Sequence, residues 1–170
     1  RLVFVHGFTQ TRHSWRTIAN KLSANNEIVL VDAPNHGDSS DVSLNLESGA
    51  NAIIEVGGDA TYIGYSLGGR LCLTAALSNT KSVNRLVLIS ATAGIEESTE
   101  RQSRIASDEQ LANRITQIGV SAFVDEWLAL PMFAGLTHAT NQRDLRLNNT
   151  AIALASSLRL CGAGKQQPTW

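Results

Sequence analysis

What this sequence lacks narrows its class before any motif is read. No run approaches the roughly 20 apolar residues that a membrane-spanning helix needs. Neither sign of charge is in surplus: 14 Lys and Arg stand against 15 Asp and Glu, a net charge of -1. Such a balance gives no field for steering onto nucleic acid or an anionic membrane, so neither is expected as a partner. Cysteine is scarce, and Cys72 and Cys161 are too far apart to form any metal-ligand spacing. No metal or other cofactor is expected, and two unpaired thiols make a reducing cytoplasm the default location. Internal repeats and low-complexity segments are also missing, which leaves an ordinary globular domain.

What is present alternates. Leu2-Val3-Phe4-Val5 is a short continuous apolar run, the pattern of a strand buried on both faces of a parallel sheet. Further strands are expected near 27–31, 60–65 and 85–90, with helices at 13–23, 44–56 and 67–77 between them. Strands alternating with helices predict a parallel α/β sheet with right-handed crossovers. After Gly94 the pattern changes to helical periodicity alone, ending in one helix over "RDLRLNNTAIALASSLRL". The expected organisation is therefore an α/β core over 1–94, a helical cap over 95–160, and a return segment over 161–170. The cap would close the carboxyl ends of the strands, where open α/β sheets bind ligands.

The chemistry concentrates in "TYIGYSLGGRL", residues 61–71. Gly64-Tyr65-Ser66-Leu67-Gly68 fits Gly-x-Ser-x-Gly between a strand and a helix, a turn that exposes the serine oxygen at the end of the sheet. A serine hydroxyl needs a base to take its proton, and an oxyanion formed beside it needs donors. The expected donors are the backbone N–H groups of Leu67 and of Phe8, the latter in the "VHGF" loop after the first strand. Arg70 lies one helical turn beyond Ser66 and can face the same pocket. Trp15 and Trp170 are expected to be packing residues, and His138 a surface residue.

The stretches "LVFVHGF", "VLVDAPNHGDSS" and "YIGYSLGGRLCL" resemble the α/β-hydrolase superfamily. In the middle stretch Asn35 stands where that superfamily usually has Gly, a substitution expected at a left-handed turn. "SATAGIEESTERQSRIASDEQLANRI", "FVDEWLALPMF" and "LRLNNTAIALASSLRLCGAGKQQPTW" are similar to the menaquinone-pathway 2-succinyl-6-hydroxy-2,4-cyclohexadiene-1-carboxylate synthase family. That resemblance implies an α/β-hydrolase fold used for proton abstraction and pyruvate elimination rather than ester cleavage. It also implies a small polycarboxylate substrate held by Arg70, Arg104 and Arg146, with Tyr65 and Trp127 as pocket walls. The plain alternative for each arginine is a solvated surface residue with a helical partner, such as Glu100 for Arg104.

The histidines do not complete a triad. The order in this superfamily is serine, acid, histidine, and the only His after Ser66 is His138 in the cap. The chain opens without Met in a strand-like run and stops at Trp170, so the expectation is a truncated piece of a longer protein. The missing parts would be the first strands and the C-terminal acid and histidine. Two rival functions stay open: a carboxylesterase or lactonase of the same fold, and a binding protein without turnover.

Overall fold

The computed structural model describes all residues, 1–170. Four strands, β1 (Leu2–Val5), β2 (Ile28–Val31), β3 (Ala60–Tyr65) and β4 (Val83–Ile89), form one sheet in the order β2-β1-β3-β4. Every pairing is parallel, with Leu2 opposite both Ile28 and Thr61, and Thr61 opposite Arg85. Helices α1 (Arg16–Leu22), α2 (Leu46–Gly57) and α3 (Leu67–Ser78) make the crossovers. The expected parallel α/β sheet is present, each strand within two residues of its expected bounds. Its core joins Val3 and Val5 of β1 to Ile53, Tyr62, Leu71 and Cys72. Both cysteines are free and buried.

Beyond β4 the chain is helical, as expected: α4 (Ser98–Leu128), the short α5 (Arg143–Arg146) and α6 (Ala151–Cys161). Helix α4 has two arms that meet at Gly119, whose φ of 79° lies outside the helical region and is open to glycine at little cost. The arms fold against α6 and bury Ala112, Ile115, Phe123, Leu154 and Leu158 in a second core. The final stretch runs back to the loop after β4, where Thr169 N–H donates to the Ala93 carbonyl.

Two expectations are corrected. The single helix expected over residues 143–160 is broken into α5 and α6. Thr150 takes an extended backbone and caps α6 by accepting from Ala153 N–H, a local bond that competes with helix continuation. Trp170 is not a packing residue, being 80% exposed, whereas Trp15 is buried with its ring 5.2 Å from Phe4. His138 is exposed, as expected.

The loops above the sheet are tied by a buried carboxylate. Asp32, after β2, accepts from Arg12 N–H at 2.6 Å, Arg12 Nη1 at 2.9 Å and Asp38 N–H at 3.1 Å. Burial pushes its pKa up, but the facing His6 ring and the Arg12 and Asp38 N–H groups more than offset this, leaving it at about 2. A carboxyl held below its ordinary value stabilises the fold above that ordinary value and loses the contribution as pH falls through the folded one. Asp32→Asn should therefore destabilise the protein at neutral pH, by roughly 1–2 kcal/mol after solvent screening. The gap from wild type should close as pH falls from about 4 to 2, read from denaturant midpoints across that range. A gap that stays constant with pH would show that Asp32 acts through packing alone.

Candidate active site

The turn at Ser66 is set by two glycines. A Cβ on Gly64 would lie 2.4 Å from the Gly68 carbonyl oxygen, and one on Gly68 would lie 2.2 Å from that of Val5. The start of α3 therefore sits backbone to backbone on β3 and β1. Ser66, between them, adopts φ 52° and ψ −112°, a region that L side chains rarely occupy. Its N–H donates to the Ile89 carbonyl at 2.9 Å and its carbonyl accepts from Arg70 N–H at 3.0 Å, so the strained residue is fixed from both sides. Asn35 has φ 62°, matching the expectation of a left-handed turn there.

A cavity of about 680 Å³ lies between the sheet ends and the cap, lined by Ser66, Leu67, Phe8, Arg70, Arg104 and Trp127 among others. These six expected site residues share one space. Ser66 Oγ makes no hydrogen bond, and no histidine lines the cavity. Trp127 packs its ring edge-on to Phe8, centroids 5.4 Å apart, and stacks on Phe123; its Nε1 is buried without an acceptor.

Arg70 is 9% exposed, and its Nη1 is buried with no partner. Its guanidinium makes no hydrogen bond to any protein group. Burial pushes it down to about 10, which still leaves it charged at neutral pH. Arg104 pairs through Nε with Asp108 Oδ1 at 2.8 Å and not with Glu100, the partner suggested by spacing. Asp108 is itself buried in the cavity wall, and its Oδ2 is unpartnered. Asp108 is the residue that sequence reasoning missed; its only signal was a position four residues beyond Arg104. The Cys161 thiol also lines the space, but burial pushes it up to about 11, so it is no nucleophile.

Tyr65 and Arg146 are not brought into this cavity. Tyr65, the last residue of β3, shares the face of Ile63 and packs on the Phe4, Trp15 and Ile63 cluster. It and Arg146 line a neighbouring space of about 330 Å³ with Trp15, Phe133 and Gln142. Arg146 is 3% exposed and directs Nε to the Asn141 carbonyl and Nη1 to Thr9 Oγ1 and the Phe8 carbonyl. Its Nη2 is left without a partner.

Residues 2–170 match the sequence pattern of the alpha/beta hydrolase family. The chain is 32% identical over 184 residues to a Bacillus subtilis (strain 168) protein provisionally named a 2-succinyl-6-hydroxy-2,4-cyclohexadiene-1-carboxylate synthase, covering 99% of this chain and 66% of that one. It is 28% identical over 173 residues to the synthase of that name from Klebsiella pneumoniae subsp. pneumoniae, covering 97% and 68%. The solved structure of MenH from S. aureus superposes with a TM-score of 0.85 at 27% identity, over 98% of this chain and 67% of that one. This chain thus spans about two thirds of the length of these relatives. An esterase from Thermogutta terrifontis, 18% identical with a TM-score of 0.76, shares the fold alone. With the parallel sheet and the strained serine turn already in place, the match over residues 2–170 makes this chain a member of the alpha/beta hydrolase family.

Proposed function

We propose that the complete protein carrying this sequence is a 2-succinyl-6-hydroxy-2,4-cyclohexadiene-1-carboxylate synthase, which eliminates pyruvate from a 5-enolpyruvyl cyclohexene precursor. The observation that carries this reading is Arg70: a buried guanidinium without a protein acceptor, in the same cavity as Ser66. A buried cation that the protein leaves unpaired calls for an anionic ligand, because an unpaired buried charge is costly. Arg104, held by Asp108 through Nε, keeps its outer edge for the same ligand, and guanidinium binds carboxylate in a fork. Arg146 and Tyr65, on the smaller cavity, suit a second carboxylate arm. The names of the relatives at 28–32% identity point to the same reaction.

The chemistry follows from those positions. Ser66 takes the ring proton next to the succinyl ketone, and the negative charge that develops on the ketone oxygen is received by the N–H groups of Phe8 and Leu67. The electron pair of the broken C–H bond moves into the ring, the existing double bond shifts, and the C–O bond to the enolpyruvyl group breaks. The leaving enolpyruvate gains a proton and becomes pyruvate. Trp127 and Phe8 give the cavity an aromatic wall for the substrate ring to pack against. Ser66 needs a proton acceptor, which this reading assigns to the third of the relatives' length that the chain does not span.

In the complete protein, Ser66→Ala should lower the rate of pyruvate release by roughly a thousandfold or more without preventing folding. Pyruvate release persisting within tenfold of wild type would end the serine assignment. Arg70→Ala should cost about 2–4 kcal/mol in kcat/KM for the polycarboxylate, as expected when a desolvated charge loses its ligand. Arg104→Ala should cost less, about 1–2 kcal/mol, because that side chain is half exposed. Both variants should leave cleavage of a small neutral ester within threefold of wild type. Fast ester turnover that ignores both arginines, with no pyruvate released, would instead identify an esterase.

A further inference from the structure

The loop that presents Phe8 is held from outside by the cap. Its next residue, Thr9, is fully buried and has φ 66°, a conformation that a β-branched side chain strongly disfavours. Inside the loop, Gly7 N–H donates to Gln10 Oε1 at 3.0 Å and Gln10 N–H to the Gly7 carbonyl at 3.1 Å. Those bonds close the turn but leave the carbonyls of Phe8, Thr9 and Gln10 unused.

Asn149, between α5 and α6, reaches these groups. It is 3% exposed, and its Nδ2 donates to the Thr9 carbonyl at 2.7 Å, with longer contact to that of Gln10 at 3.4 Å. The same amide lies 3.0 Å from the Arg146 carbonyl, within its own segment. Its Oδ1 accepts from Gly37 N–H at 2.9 Å, in the loop after β2. A single cap amide thus joins two loops of the core, and it lines neither the Ser66 cavity nor its neighbour. Arg146 supports the same loop through Thr9 Oγ1.

We propose that Asn149 is a positioning residue: by holding Thr9 in its left-handed conformation it aims the Phe8 N–H at the Ser66 cavity, so the oxyanion site is complete only with the cap docked. A strained conformation persists only where its surroundings over-determine it, and here the Gly7–Gln10 turn bonds and the cap amide act on Thr9 together. An asparagine suits the task because it offers a donor to Thr9 and an acceptor to Gly37 on one planar group. Aspartate would keep the acceptor but turn a second acceptor toward the Thr9 carbonyl.

The inference rests on the proposed roles of Ser66 and Phe8, so its test reads Ser66 directly as well as the reaction. In the complete protein, labelling of Ser66 by phenylmethanesulfonyl fluoride is followed by mass spectrometry, alongside kcat and KM for pyruvate release. Asn149→Ala and Asn149→Asp should slow both labelling and kcat by about a hundredfold, the loss typical of a missing oxyanion donor, with KM within threefold. Adding Thr9→Gly to Asn149→Ala should restore at least tenfold of the lost rate, because glycine adopts φ 66° without a clamp. A purely structural role would lower the melting temperature but leave the kcat of folded enzyme unchanged, and would overturn the proposal. So would a rise in KM alone, or no recovery with Thr9→Gly. If Asn149→Ala does not fold, Thr9→Gly is compared with Thr9→Gly/Asn149→Ala, and a difference above tenfold in labelling overturns the inference. Wild-type protein that is never labelled at Ser66 defeats the serine reading and this one together. Labelling without pyruvate release defeats only the proposed reaction, and the labelling rates then decide the role of Asn149.

Discussion

The backbone contact between α3 and β1 is the constraint on which the rest of the site depends. Gly68 lies so close to the Val5 carbonyl that no other residue fits without moving a helix or a strand. Through this contact the first turn of α3 lies over the end of the sheet, and Ser66 is left to absorb the mismatch between strand and helix directions. The loop after β1 contributes Phe8 to the same cavity that the start of α3 lines. The first N–H groups of α3 have no partner within the helix, and the helix dipole adds positive potential there. On the proposed reading, the place for a developing negative charge follows from packing before any side chain contributes.

On that frame the cavity is electrostatically unfinished. Arg70 and Arg104 share it with one carboxylate, Asp108, which is already committed through Oδ1 to Arg104. Arg70 pays for its burial with a lowered pKa and receives no protein acceptor in return. The contrast with Asp32 is instructive. That carboxylate is equally buried but saturated by N–H donors and by Arg12, so its energy goes into holding loops. Satisfied polar groups stabilise a fold, whereas unsatisfied ones in a cavity indicate where a ligand completes the balance.

Much of this was legible in the residues. The apolar runs at β1 to β4 and the Gly-x-Ser-x-Gly turn are dictated by local pattern, and they led to the parallel sheet and the serine turn. Arg70 was legible for the same reason, since helical spacing alone places it one turn from Ser66. Side-chain direction was not. Tyr65 is adjacent to Ser66 in sequence yet lines another space, because as a β3 residue it follows Ile63 to the Trp15 face while Ser66 has already left the strand. Asp108 could not be singled out from the other acidic residues of α4, because its burial comes from α6 packing against that helix. The division of the last helix was hidden for a related reason: Thr150 and Asn149 have modest helix propensity, but what breaks the helix is tertiary use of their side chains.

The cap is therefore part of the core's chemistry and not a cover added to it. Phe8 packs against the hydrophobic core of the sheet and also against that of the cap, so one ring belongs to both. Its backbone is gripped from the cap by Arg146, and the following residue by Asn149. The cavity wall likewise alternates: Ser66 and Arg70 from α3, Arg104, Asp108 and Trp127 from α4, Cys161 from α6. An isolated core would retain the Ser66 turn, because Gly64 and Gly68 fix it locally. It would lose half of the cavity's cationic groups, and with them the clamp on Thr9. On the proposed reading, moving the cap away from the core would loosen the Phe8 loop and expose Arg70 to water, weakening its hold on an anion. On the proposed roles of Phe8 and Asn149, docking of the cap, burial of Arg70 and assembly of the oxyanion donors are therefore one event.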